Sequence, residues 1–418
     1  MKAQQEPALA LDLMLRTATL LFANGQTTAR TIDTTVQFAA ALGFRASLLL
    51  RWGEVTATID GDGGPRSEIA GVSPMGVDMG KVVAAMGMID QLCDGHADAD
   101  PVRAALEAIQ HRPPVALVRF ASLAAAGAAA LGVIFGVFDL LSLVLIAFSA
   151  GAGAVVRRWL AGISANPFVQ PFCAALLAGV VGAAAIRLRL VTLQSLVSVC
   201  PCMVLVPGPH LLNGTLDLAR ARIALGASRI AYACLIIVMI CAGLLSGLAF
   251  GGVALPVSGP TVPVPLLFDV IAAGVAVAAF GTFFNMPWHM LPIPILIGML
   301  AHASRWATIV VAGGSVETGA FVACLFVGIV ITPIADRLRL PFAAFAFASV
   351  VSLIPGVFLF RMGGGLVELA SANASPELLL ATIADGSTAV LIMLAMGFGL
   401  ILPKMLIEHF FPGIVRNR

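Results

Sequence analysis

The stretch Val204-Leu205-Val206-Pro207-Gly208-Pro209-His210-Leu211-Leu212-Asn213-Gly214-Thr215-Leu216-Asp217 decides how this chain folds. Most of it is apolar enough for a bilayer, yet Pro-Gly-Pro interrupts it. Ser352-Leu353-Ile354-Pro355-Gly356-Val357-Phe358-Leu359-Phe360-Arg361 repeats the interruption further on. Proline removes a backbone donor and clashes with the preceding turn, and glycine loosens the helix. Freed backbone groups at membrane depth are tolerated only in a protein-lined or wet cavity. Paired interruptions at matching positions in two halves therefore point to a transport site. The N-terminus of a half-helix suits a carboxylate, and its C-terminal carbonyls suit an ammonium group. A zwitterion satisfies both.

The surroundings fit that reading. Of 418 residues, 60% are apolar and only 11% charged, with a mean hydropathy of +1.01. Soluble proteins carry about 25% charged residues. A soluble enzyme, a disordered chain and a nucleic-acid binder are thereby disfavoured, and a net charge of +2 suits no polyanion. The charges are unevenly placed. Residues 1–114 hold 13 acidic and 9 basic side chains, whereas residues 115–418 hold 9 and 15. The first part is expected to be a small α+β cytoplasmic domain and the rest a bundle of membrane helices. Its opening, with Asp12 and Arg16 in the first apolar stretch, does not read as a signal peptide.

Ten spans are expected near 116–136, 138–156, 168–186, 190–212, 229–252, 265–284, 290–311, 317–335, 341–362 and 378–402. Gly251-Gly252 and Pro256, Pro260, Pro263 and Pro265 divide the charge-free gap from Ile230 to Phe268. With residues 1–114 inside, eleven of the later Lys and Arg residues fall inside; only Arg187, Arg189, Arg305 and Arg361 fall outside. This asymmetry places both termini in the cytoplasm.

Four short matches recur in the same order at an offset of roughly 147–150 residues. Arg158-Trp159 matches Arg305-Trp306, and Phe172-Cys173-Ala174-Ala175-Leu176 matches Phe321-Val322-Ala323-Cys324-Leu325. Arg187-Leu188-Arg189-Leu190 matches Arg337-Leu338-Arg339-Leu340, and Pro207-Gly208 matches Pro355-Gly356. Five spans per half make the second half enter from the opposite face. The expected organisation is two five-helix inverted repeats, residues 115–255 and 256–418, after the domain 1–114.

Ionisable groups inside spans are costly and so become candidates. Pro207, Gly208, Asn213, Pro355 and Gly356 are the expected substrate contacts. Asp217, one turn beyond Asn213 on the same helix face, is the first candidate proton carrier; a loop Asp paired with Arg220 is the alternative. Asp385, about three turns into the tenth span, is the second. His302, Arg305 and Glu317 are expected to cluster at the outer mouth, as a gate or a solvated rim. Asn285 and His289 flank a short inner turn at Pro287-Trp288, with Trp288 a candidate interfacial anchor, and Asn166 and Gln170 cap or line the third span.

Six of the seven Cys lie in apolar stretches and read as packed free thiols. Cys200-Pro201-Cys202 leaves soft-metal transport open as an alternative, although no His- or Cys-rich tract supplies further ligands. No GxxxxGK[ST], GxSxG or HExxH string occurs, so neither an ATP-driven pump nor an enzyme is expected, and no cofactor or resident metal. A membrane-tethered signalling scaffold built on residues 1–114 is the alternative from another class.

Within residues 1–114, helices are expected at 9–23, ended by Asn24-Gly25, and at 28–42. A hairpin 46–51/54–60 turns at Trp52-Gly53, followed by a loop 61–65. Helices 77–93 and 101–111 follow, the second opened by Asp100-Pro101. The unit reads as a gate or regulator, or as a folding platform.

The stretch Leu20-Leu21-Phe22-Ala23-Asn24-Gly25-Gln26-Thr27-Thr28-Ala29-Arg30, the segment Pro74-Met75-Gly76-Val77-Asp78-Met79-Gly80-Lys81, and Leu205-Val206-Pro207-Gly208 with Asn213 and Asp217 resemble the N-terminal module of threonine/serine exporters. Phe283-Phe284-Asn285-Met286-Pro287, Gly298-Met299-Leu300-Ala301-His302-Ala303-Ser304-Arg305 and Ile354-Pro355-Gly356-Val357 resemble the second module, here fused to the first. The resemblance covers nearly the whole chain. It implies a ten-span bacterial inner-membrane exporter that exchanges small amino acids, threonine or serine, for protons, with small carboxylates as alternative substrates. The expected partners are that substrate, protons, the bilayer and a second copy in a homo-oligomer. Cys200-Pro201-Cys202 and Gln26-Thr27-Thr28 depart from the family pattern.

Overall fold

The structure is a computed structural model that describes residues 7–61, 64–94, 102–190, 194–255, 264–337, 342–370 and 374–410. Pro256, Pro260, Pro263, Asp100-Pro101, Leu338-Arg339-Leu340, Arg416 and Arg418 lie outside them.

The N-terminal unit starts with α1 (Pro7–Ala23) and α2 (Thr28–Ala41). Gly25 turns the chain between them with φ of +92°, a left-handed conformation in which a side chain is strained. Thr27 then caps α2 by accepting from the Arg30 amide. Strands β1 (Ala46–Arg51), β2 (Glu54–Gly61) and β3 (Gly64–Gly71) form an antiparallel sheet in that order. Val55, Ala57 and Ile59 alternate inward along β2. They join Leu11, Met14, Phe22 and Phe38 in one core with α3 (Met79–Cys93), whose cap is Asp78. α4 (Val102–Gln110) closes that core with Leu106 and Ile109.

β3 corrects the loop expected to begin at residue 61. Its side chains, including Arg66, Ser67 and Glu68, are largely exposed, so no alternating apolar pattern marks it. Backbone pairing with β2, in the register Ile59↔Arg66 and Ala57↔Glu68, holds it instead.

The remainder is helical. Among the described residues, eight helices are long and apolar enough to cross a membrane. They are α5 (Leu117–Ile134), α6 (Leu140–Ala161), α7 (Val169–Arg187), α10 (Ile223–Phe250), α11 (Leu266–Phe283), the continuous helical segment Trp288–Val311 that contains α12 (Pro292–Trp306), α13 (Val316–Arg337) and α16 (Pro376–Phe410). Two further segments pass the same test only as bent pairs. α8 (Gln194–Met203) meets α9 (Gly208–Ala219) at 58°, and α14 (Phe342–Val350) meets α15 (Gly356–Leu369) at 51°. Counting each pair once brings the total to ten.

α7 packs along α10, α13 along α16, and α5 along α11. Small residues permit the close approach, which in lipid replaces the hydrophobic drive between helices. On α10, a Cβ at Gly243 or Gly247 would fall on the Phe172 and Leu176 carbonyls of α7; Gly399 of α16 faces the Phe321 carbonyl of α13 in the same way. Backbone cannot yield as a side-chain tip can. Gly247→Val is therefore expected to lower stability by about 3 kcal/mol, the upper range for overpacking. A thermal melt of the detergent-purified protein checks this, with Gly87→Val, where nothing lies within 4 Å, as the harmless control.

Candidate functional site

Both interruptions are built alike. Pro207 has φ −81° and ψ 62°, and the Gly208 amide donates to the Val206 carbonyl at 2.9 Å. Pro355 has φ −76° and ψ 48°, and the Gly356 amide donates to the Ile354 carbonyl at 2.8 Å. Each proline centres a three-residue inverse γ-turn, which ends one half-helix and restarts the next at an angle. The two turns also pack on one another. A Cβ at Gly208 would lie 2.7 Å from Ile354, and one at Gly356 would lie 2.8 Å from Met203. The Pro207-Gly208 and Pro355-Gly356 breaks thus lie side by side at one crossing, each glycine against the segment that leads into the other break.

Asn213 and Asp217 point elsewhere. They line one face of α9 with His210, and that face is covered by the N-terminal unit. Asn213 Nδ2 donates to the Gly25 carbonyl at 3.0 Å, and His210 Nε2 lies 3.2 Å from the Met75 carbonyl. The Thr28 hydroxyl donates to Asp217 at 2.9 Å. Asp217 also pairs with Arg229 at 3.2 Å and Arg222 at 3.4 Å. Arg229 is itself only 1% exposed and stacks over Phe22 of α1, 5.1 Å from the ring centroid. The partners that lock this buried acid are therefore Arg229, Arg222 and Thr28. The exporter-like stretch around Asn24–Arg30 supplies the cover.

Asp385 of α16 has a comparable partner, Arg361 of α15, at 3.0 Å. Arg361 follows the second turn directly along the chain, which ties this ion pair to the break.

His302, Arg305 and Glu317 do not form a common solvated rim. His302 is 0% exposed. Its Nδ1 lies 3.1 Å from Asp269 of α11, and its Nε2 lies 2.9 Å from the Ser352 hydroxyl, three residues before Pro355. With Asp269 ionised, Nδ1 carries the proton and Nε2 of a neutral ring accepts from Ser352. Arg305 sits one turn away, and its charge acts on both Asp269 and His302. Glu317 is half-exposed at the start of α13 and forms no ion pair with it. Sequence reading missed Asp269 and Ser352. The signal for Asp269 was present: it ends the charge-free gap. His302→Phe is expected to cost about 3 kcal/mol by stranding Asp269. Ser352→Ala should cost about 1 kcal/mol, the value of one hydrogen bond. Thermal melts of both variants at one pH measure the difference.

A second contact anchors the N-terminal unit. Asn285 adopts φ of +55°, and its side chain donates to Asp78 at 2.9 Å while accepting from the Val115 amide at 3.2 Å. The Met79 amide donates to the Phe284 carbonyl at 2.8 Å. Burial pushes the Asp78 carboxyl up, against hydrogen bonds from Lys81 and Asn285 that pull it down. Trp288 is exposed, and Arg119 stacks on it at 3.8 Å. Asn166 does not cap α7, which starts after Phe168 without a side-chain cap; it closes the turn before it by accepting from the Phe168 amide. Tyr232, the only tyrosine, gathers Trp52 of the β1–β2 turn at 5.4 Å, His210 at 5.0 Å and Phe168 at 6.0 Å. Cys200 and Cys202 are fully buried in α8.

Residues 12–251 match the family model ThrE, a threonine/serine exporter, and residues 269–406 match a second model, Threonine/Serine exporter, ThrE. No solved structure matches the chain.

Proposed function

This chain belongs to the threonine/serine exporter family, a family of multi-pass membrane proteins in amino-acid transport, and from that premise we propose that it exports threonine or serine in exchange for protons. The observation that carries the proposal is the crossing of two proline-centred breaks with the same backbone geometry and reciprocal packing. The shared geometry also supports reading the membrane part as ten spans in two inverted five-helix repeats, 115–255 and 256–418. The excess of Lys and Arg on one side supports a cytoplasmic location for residues 1–114 and for both termini, in a bacterial inner membrane.

Beside the crossing, the ends of the broken helices take part in holding a small zwitterion. Proton coupling belongs to the ion pairs beside it. Asp217 faces Arg229, and Asp385 faces Arg361. Protonating either acid removes the charge that its guanidinium pairs with, so a proton is taken up only as the pair opens. That requirement links proton uptake to a change of conformation.

Cells loaded with threonine-containing dipeptides provide the test. Expression should lower intracellular threonine, and an uncoupler should abolish the effect. Unchanged threonine on expression removes the amino-acid assignment, and uncoupler-resistant efflux removes proton exchange.

A further inference from the structure

Most arginines described along the membrane helices have a partner. Arg119 donates to Thr282 and to the Met286 carbonyl, Arg158 to the Val115 carbonyl, and Arg187 to the Gly251 carbonyl. Arg229 and Arg361 face acids. Arg157 of α6 is different. Its Nε and Nη1 are buried and donate to nothing. No carboxylate among the described residues pairs with it, and its chain neighbour Arg158 has the same sign. Phe283 stacks on its guanidinium at 4.4 Å, which covers a face of the fork and leaves the Nε and Nη1 hydrogens without acceptors.

A second orphan lies on the same stripe of α6. Ser149, eight residues earlier, is 1% exposed, and its hydroxyl has no partner. Both side chains line one narrow pocket that, in this conformation, has room for about one water molecule. Its other walls are small or apolar: Ala124, Gly153, Ala174 and, on the segment leading into the first break, Pro201 and Val204. Unpaired buried donors are rare, and two that converge on a cavity indicate a missing acceptor.

We propose that this pocket is the subsite for the carboxylate of the transported molecule. It rests on the transport reading above and deepens it. The planar fork of Arg157 matches the two oxygens of a carboxylate, and Ser149 supplies a further donor. The alanine and glycine walls favour a short side chain. Because Pro201 and Val204 belong to the broken span, occupancy of the pocket bears directly on the position of the break.

The test is ligand titration of the full-length detergent-purified protein with L-threonine, L-threoninol, which lacks the carboxylate, and L-lactate, which lacks the ammonium group. The wild type is expected to bind threonine and not threoninol. R157A should weaken threonine binding at least tenfold, R157K less, and S149A a few-fold, each with an unchanged size-exclusion profile. Equal threonine affinity in wild type and R157A, threoninol binding as tight as threonine, or no carboxylate binding at all overturns the proposal. If R157A is not recovered as a single species, R157K carries the test, and wild-type affinity in R157K overturns it. Arg157-dependent binding of lactate without binding of threonine leaves the carboxylate subsite standing and removes the amino-acid assignment.

Discussion

Asp217→Asn is expected to be among the most damaging single substitutions outside the helix-packing glycines, lowering stability by about 3–5 kcal/mol. The Asp217 and Arg229 side chains are 3% and 2% exposed, so neither charge is screened by solvent to any extent. Removing the carboxylate strands a buried guanidinium, and the loss of its partner costs far more than the net worth of the pair. The Thr28 hydroxyl loses its charged acceptor at the same time, which loosens α2 from α9. Two measurements check this. The melting temperature should fall, and limited proteolysis should cut between the N-terminal unit and α5. The double variant Asp217→Asn with Arg229→Met removes both charges and should recover most of the loss. A double variant as unstable as the single one would show that the charge pair is not the cause. Coupled proton movement in vesicles, measured on the stabilised double variant, separates the structural role of Asp217 from a role in proton exchange.

Gly356→Leu is expected to reduce threonine efflux at least tenfold while leaving a folded protein. A Cβ at this position already meets Met203 at 2.8 Å, and a leucine adds three further carbons at the crossing of the two breaks. The obstacle is a flexible methionine rather than backbone, so the helices adjust and folding survives. The gap between the breaks does not. Gly208→Leu should act equally, because its neighbour Ile354 is likewise a side-chain tip at 2.7 Å. Efflux and melting temperature are measured together, and a parallel loss in both would mean that packing, not the crossing, was damaged. Gly87→Leu on the exposed face of α3 serves as the control of equal bulk and should leave flux unchanged.

Much of this architecture is legible from residue order alone, because the relevant physics is local. Transfer of an apolar segment to lipid depends on its own side chains, so the expected spans meet the helices within a few residues at most ends. The expected first span, 116–136, meets α5, Leu117–Ile134. The breaks at Pro207 and Pro355 were legible because a missing N–H acts within its own turn. Gly25 and Gly251 end helices for equally local reasons. β3 was not legible, since an exposed strand is held by its neighbour's backbone and carries no pattern of its own.

What side chains do at the site was decided only by the tertiary structure. Asp217 looked like an acid waiting in the membrane. Its nearest hydroxyl comes from Thr28, 189 residues earlier, and turns it into the anchor of the N-terminal unit. His302 looked like part of an outer rim. Its partners lie 33 and 50 residues away and make it fully buried. Arg157 looked like an orientation signal, and only the packed structure shows that no acid reaches it. Hydropathy and proline chemistry are properties of a segment. The state of a buried charge is a property of whatever the fold brings within about 4 Å of it, where low dielectric makes a present or missing partner decisive.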